Sequence, residues 1–255
     1  MEFIASAELL MFLFAIAVVA GLLDTLAGGG GLVTIPALIV CGVPPLAALG
    51  TNKLQGSVGT ATATLLLIRK KKISFQENKP LMISAFVGSV LGTVAVQFID
   101  TKILSFVIPA VLLLIAVYFL VAPKAKAQAR VSDRNYRLKL VPSIGFYDGM
   151  FGPGTGSFFA LAGVSCRGLD LIAATASAKP LNFATNLASL IVFLFAGQVV
   201  WVVGILMMVG QVFGAWVGAH VLFKINPSYL RAVVVTMCLG MLVKYCHSMG
   251  WLSLS

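Results

Sequence analysis

Two lysines stand where hydrocarbon should forbid them. Lys53 follows Thr51 and Asn52 within the apolar segment Leu46 to Ile68, and Lys179 follows Ser177 and Ala178 within Leu171 to Ala196. At a rise of 1.5 Å per residue, Lys53 lies about 10 Å inside its helix start. An ammonium at that depth either snorkels to the interface or, being costly to bury, marks function. Polar company favours function: Gln55, Ser57, Thr60 and Thr62 follow the first lysine, and Asn182, Thr185 and Asn186 follow the second. Two cations among amide and hydroxyl groups suit a small anion, most simply a tetrahedral or pyramidal oxyanion.

Two glycine-rich breaks complete the set. Asp24 precedes Gly28, Gly29, Gly30 and Gly31, and about 125 residues later Asp148 precedes Gly152, Pro153, Gly154, Thr155 and Gly156. Each glycine costs about 1 kcal/mol against alanine in a helix interior, so a plain lipid-facing span has no use for the run. Backbone that leaves the helix at membrane depth must line protein or a wet cavity. A helix that restarts there, at Gly31 or Gly156, offers free N–H groups and partial positive charge to an anion. The competing explanation is close helix packing. The predicted binding residues are therefore Gly28, Gly29, Gly30, Gly31, Asn52, Lys53, Gly154, Thr155, Gly156, Lys179, Asn182 and Asn186. Asp24 and Asp148 are counter-charges to the lysines, proton carriers, or caps on the broken helices.

The elements that must position these residues are membrane helices. The 255 residues are 60% hydrophobic and 10% charged, with a mean hydropathy of +1.03; a soluble domain needs more polar surface. Pro80 to Ile99 and Ile103 to Val121 each approach the roughly 20 residues of a span, and Pro180 to Phe223 holds room for two. The alternating short strands of a membrane β-barrel are missing. The net charge of +10 does not indicate nucleic acid. Eleven of the eighteen basic residues fall in two connections, Arg69 to Lys79 and Lys124 to Lys139, without interleaved aromatic platforms. Short basic loops beside spans mark the cytoplasmic face. The N-terminus carries Glu2 and Glu8 and no basic residue before Lys53, unlike a secretory leader, so the first helix should be retained and start outside.

Sliding the sequence on itself by 124 to 126 residues aligns Gly21 and Asp24 with Gly145 and Asp148, Lys53 with Lys179, and Gly88 and Gly92 with Gly214 and Gly218. A duplicated half covers nearly the whole chain. Five segments are expected per half: Phe3 to Ala27, Gly31 to Val43, Leu46 to Ile68, Pro80 to Phe98 and Ile103 to Val121, then Leu140 to Phe151, Gly156 to Cys166, Leu171 to Ala196, Val199 to Phe223 and Pro227 to Tyr245. Whether the glycine-broken pairs cross or re-enter stays open. Either way each half crosses an odd number of times, so the second half is inverted. The expected fold is an all-α polytopic membrane protein. Its inverted repeats are 1–122 and 139–255, joined by a basic cytoplasmic linker at 123–138. It has about six to eight full spans plus half-helices in each repeat, and both termini lie outside. Inverted repeats with broken helices are transporter architecture, with substrate near the midplane.

The patterns GLLDTLAGGGGLVTIPAL and GTNKLQG in the first half, with DGMFGPGTGSFF in the second, resemble the TauE/SafE family of sulfite and organosulfur anion exporters and permeases. The resemblance implies a transporter in a bacterial inner membrane for sulfite, sulfonates such as sulfoacetate, or related anions. Ala178 in place of Asn52 and Pro153 in place of Gly29 set the second half apart. A secondary transporter leads, with an anion channel as the alternative. An enzyme is not expected, since His-Glu-x-x-His, GxSxG and metal-spaced clusters are all missing. No metal, cofactor or nucleic-acid partner is expected. The partners are a small anion, the bilayer and, left open, further copies of the chain. Cys41, Cys166, Cys238 and Cys246 should be packing residues, and Arg167 with Asp170 a surface pair of little worth.

Overall fold

The computed structural model describes residues 6–121, 131–224 and 243. The expected final segment, Pro227 to Tyr245, apart from Val243, and the first half of the linker, 123–130, fall outside them. All regular structure among the described residues is helical: α1 (Ala7–Ala27), α2 (Gly31–Val40), α3 (Pro45–Arg69), α4 (Phe75–Val96), α5 (Thr101–Val121), α6 (Asp133–Asn135), a π-helical turn (Tyr136–Leu140), α7 (Val141–Met150), α8 (Thr155–Arg167), α9 (Leu171–Phe195) and α10 (Trp201–Val221). Of these, α1, α4, α9 and α10 are long and apolar enough to cross a membrane. Outward-facing side chains such as Ile83, Val87, Leu91, Phe213 and Trp216 are exposed, as suits helices solvated by lipid rather than water.

Two elements start earlier than hydropathy predicts. α4 begins at Phe75, ahead of Pro80, because Ser74 accepts a hydrogen bond from the Glu77 N–H; Ser-Phe-Gln-Glu is a capping box. Proline is tolerated so near a helix start, where few N–H groups have partners to lose. The helix expected from Leu140 instead runs unbroken from Asp133 to Met150, with its π-helical turn at Tyr136–Leu140. That is eighteen residues rather than a dozen, or about 27 Å. Its first turns are polar and capped by Ser132, so apolarity could not reveal them.

Glycines decide how the helices pair. α1 and α10 run parallel in close contact: a Cβ on Gly214 would lie 2.0 Å from the Val18 carbonyl oxygen, and one on Gly210 2.8 Å from that of Phe14. α4 and α7 do the same, with Gly88 on the carbonyl of Pro142 (2.1 Å) and Gly92 on that of Phe146 (2.0 Å). The registers match, since Val18 and Pro142 are 124 residues apart and Gly214 and Gly88 are 126 apart. Without a hydrophobic force between helices in lipid, such backbone approach is what binds them.

α3 and α9 cross between these pairs, antiparallel. Gly50 near the start of α3 abuts the Gln198 carbonyl beyond the end of α9, Gly56 meets Asn186, and Leu67 shares an apolar cluster with Ala176. One end of the bundle thus collects the basic groups. There Lys70 Nζ donates to the Ala219 carbonyl at 3.1 Å, and Lys72 lies over the Phe223 ring. Asp170 does not pair with Arg167. Its carboxylate caps α9 through the Ala173 N–H at 2.9 Å, and the Arg167 guanidinium stands over the Tyr136 ring. A helix start rewards a nearby carboxylate more than an exposed ion pair does.

Candidate functional site

α1 ends because Gly28 turns left-handed (φ 72°) and donates its N–H to the Asp24 carbonyl, an αL cap. The chain then restarts at Gly31 as α2. In the second half α7 ends at Met150, Gly152 (φ 91°) and Gly154 (φ 76°) take the same left-handed region, and α8 restarts at Thr155. No side chain caps the start of α2 or of α8. The two breaks touch each other. A Cβ on Gly28 would fall 2.4 Å from the Gly156 Cα, and Ser157 Oγ donates to the Ala27 carbonyl.

Both lysines converge here, each reaching toward the other half's aspartate. Lys53 Nζ lies 2.8 Å from Asp148 Oδ2, the one ion pair among the described residues. Lys179 Nζ donates to the main-chain carbonyl of Asp24, whose carboxylate turns instead to the Gly30 N–H at 3.3 Å. Lys53 and Lys179 are 1% and 0% exposed, so neither snorkels. Burying two ammonium groups costs several kcal/mol each after relaxation. One is offset by a carboxylate, the other by a carbonyl already shared with a helix cap.

The remaining predicted residues divide. Asn52 Oδ1 accepts from the Thr34 hydroxyl at 2.6 Å, and a Cβ on Gly31 would lie 3.5 Å from the Asn52 Nδ2 and from the Pro153 Cα. The Asn182 amide lies beside Gly156. Gly29 and Gly30 are buried between Asp24 and the start of α2. Asn186 turns its Oδ1 toward Gly56 of α3 and donates its amide to the main-chain and side-chain oxygens of Asn182 at 2.8 and 3.2 Å. Thr155 spends its hydroxyl on the Gly152 carbonyl, closing its own turn, and Gly154 serves as the left-handed N-cap of α8.

Sequence reasoning passed over Thr34, Ser157 and Tyr147, whose hydroxyl donates to the Pro153 carbonyl at 2.6 Å. Thr34 was the detectable one, as a lone hydroxyl in the apolar α2. Among the described residues no group of three His, Cys, Asp or Glu side chains is placed to hold a metal. The arrangement brings together two buried lysines, amide groups and two helix starts without side-chain caps, although the Leu32, Val33, Thr155 and Ser157 N–H groups already donate to the carbonyls of Gly29, Gly30, Gly152 and Gly154.

The sequence profile described as Sulfite exporter TauE/SafE matches residues 13–245. The chain belongs to the TauE/SafE family. A probable membrane transporter protein of Haemophilus influenzae is 43% identical over 96% of this chain and 97% of its own length. Another, of a Sinorhizobium species, is 41% identical over 93% and 92%. The probable membrane transporter protein YfcA of Escherichia coli is 39% identical over 96% and 92%. No solved structure matches the chain significantly. The TauE/SafE assignment, the transporter relatives and the apolar helices together make this a membrane transporter, and the converging lysines and glycine breaks belong to a TauE/SafE transport protein rather than to an isolated binding module.

Proposed function

We propose that the chain is a secondary transporter that carries a small sulfur oxyanion or sulfonate, sulfite or sulfoacetate being the simplest cases, across a bacterial inner membrane by alternating access. In this reading 1–122 and 139–255 are inverted repeats around a cytoplasmic linker, with six to eight spans in all. The register-matched glycine contacts support the inversion, since α1 and α10 both start at one end of the bundle and α4 and α7 at the other. The concentration of basic residues at the end shared by Arg69–Lys72 and Arg167 supports a cytoplasmic orientation for that end.

The observation that carries the proposal is the exchange across the halves, Lys53 with Asp148 and Lys179 with Asp24. An anion arriving between the glycine breaks competes with Asp148 for Lys53 and with the Asp24 carbonyl for Lys179. It gains the amides of Asn52 and Asn182 and, at the openings of α2 and α8, the N–H groups of Gly31 and Gly156. Its charge replaces that of the displaced aspartate, which then takes a proton; this couples anion movement to the proton gradient. The touching loops must part for passage, and the two oppositely directed halves give that opening two directions.

In proteoliposomes, sulfite uptake should saturate. Lys179→Ala, and the charge-balanced pair Lys53→Ala with Asp148→Asn, should each lower it roughly 30-fold or more, as expected for about 2–5 kcal/mol of a buried charged contact. Undiminished uptake in both variants removes the lysines from the site, and flux that rises without saturation makes the protein a channel. Orientation is tested by single cysteines in a chain whose four native cysteines are serine. An impermeant maleimide should label Ala196→Cys from outside and reach Lys79→Cys only after permeabilisation; the reverse pattern inverts the topology.

A further inference from the structure

At the basic end of the bundle, away from the lysines, α4, the α6–α7 helical run and the end of α8 enclose a recess of about 370 Å³. Arg134, Arg137 and Arg167 line it with Glu77 and Asp133, and none of the five forms an ion pair among the described residues. Tyr136 forms its floor, 4% exposed, with the Arg167 guanidinium 5.6 Å above the ring. Burial pushes the Tyr136 phenol up to about 12, so its hydroxyl keeps its proton at neutral pH. The π-helical turn begins at this tyrosine; such turns recur at functional positions. Further along the same two helices Val87, Leu138 and Phe146 are exposed apolar side chains. The recess therefore sits where charged headgroups give way to acyl chains.

We propose that this recess binds the phosphodiester of an anionic glycerophospholipid, with its acyl chains lying along α4 and α7. Three planar guanidinium forks match phosphate oxygens bidentately. Basic pockets at the membrane surface recognise anionic headgroups in this way. The two carboxylates do not oppose the choice. They leave one net positive charge in the recess and can accept hydrogen bonds from glycerol hydroxyls beyond the phosphate, as in phosphatidylglycerol. The same phosphate chemistry could arrive as free phosphate, and the apolar approach along α4 and α7 favours the lipid. The inference uses the membrane setting alone and stands whether or not the lysines carry an anion.

The test is thermal melting of the purified full chain in detergent, titrated with phosphatidylglycerol, phosphatidylethanolamine, phosphatidylcholine or inorganic phosphate. Phosphatidylglycerol at about a hundred times its Kd should raise Tm by roughly 5–10 °C, with phosphatidylethanolamine and phosphatidylcholine giving little. Arg134→Gln with Arg137→Gln and Arg167→Gln should abolish the rise, whereas Lys72→Gln, on the same face, should keep it. Should the triple variant not fold, Arg134→Lys with Arg137→Lys keeps the charge, loses the forks, and should at least halve the response. An equal rise with phosphatidylethanolamine overturns the anionic selectivity. An equal rise with millimolar inorganic phosphate reassigns the recess to free phosphate and overturns the lipid. A rise that survives the arginine substitutions, or no rise at all, overturns the site.

Discussion

Lys53→Met should destabilise the protein by about 3–5 kcal/mol, because it strands the Asp148 carboxylate in a place from which water is excluded. Asp148 is 1% exposed, and its Oδ2 has no hydrogen-bond donor other than through the lysine pair. Removing both members, as Lys53→Met with Asp148→Leu, should recover most of the loss, since an apolar pair of similar volume replaces a costly ionic one. Lys179→Met supplies the contrast. Its partner is the Asp24 carbonyl, which keeps the Gly28 N–H as a donor, so no charge is orphaned and the cost should be about 1 kcal/mol. Melting temperatures of the four purified proteins check the pattern. Equal losses for the two single variants, or a double variant no more stable than Lys53→Met alone, would show that the ion pair is not what holds these loops.

The second large effect is expected at Gly28. Alanine there meets two penalties. The left-handed φ of 72° costs a side chain roughly 1–2 kcal/mol, and the new Cβ would sit 2.3 Å from the Gly156 carbonyl carbon, which is backbone and cannot rotate away. Gly42→Ala separates the two, because its φ is 87° but nothing lies within 4 Å of the new Cβ. Gly42→Ala should lose about 1–2 kcal/mol and keep transport. Gly28→Ala should lose clearly more and abolish uptake, because the two breaks can no longer meet. Retained uptake in Gly28→Ala would mean that their contact is dispensable.

Much of this was legible in the residues. The lysines announced themselves because a cation in an apolar run has few bland explanations, and the glycine breaks because four glycines in a row cannot be a helix. The expectation of a duplicated half rests on identities at offsets of 124 to 126 residues. What could not be read was who partners whom. Nothing local to Lys53 names Asp148, 95 residues away, and nothing distinguishes it from Lys179, which finds a carbonyl instead. Hydropathy also failed where helices begin in polar sequence, at Phe75 and Asp133. The Ser74–Glu77 box was there to be used in the first case, but the Ser132 cap adjoins a charged stretch that looked like linker. Arg167 was misjudged because its partner is a ring presented by the π-helical turn, a feature without a sequence signature.

The glycine-to-carbonyl pairing of α1 with α10 has a consequence for how the chain is made. Val18 leaves the ribosome 196 residues before Gly214, a delay of roughly 10–40 s at ordinary elongation rates. Pro142 follows Gly88 by 54 residues, so α4 and α7 can dock several times sooner. Assembly should begin with α4 and α7 and join α1 to α10 later, which leaves α1 waiting in the bilayer, or beside the insertion machinery, until α10 has been made.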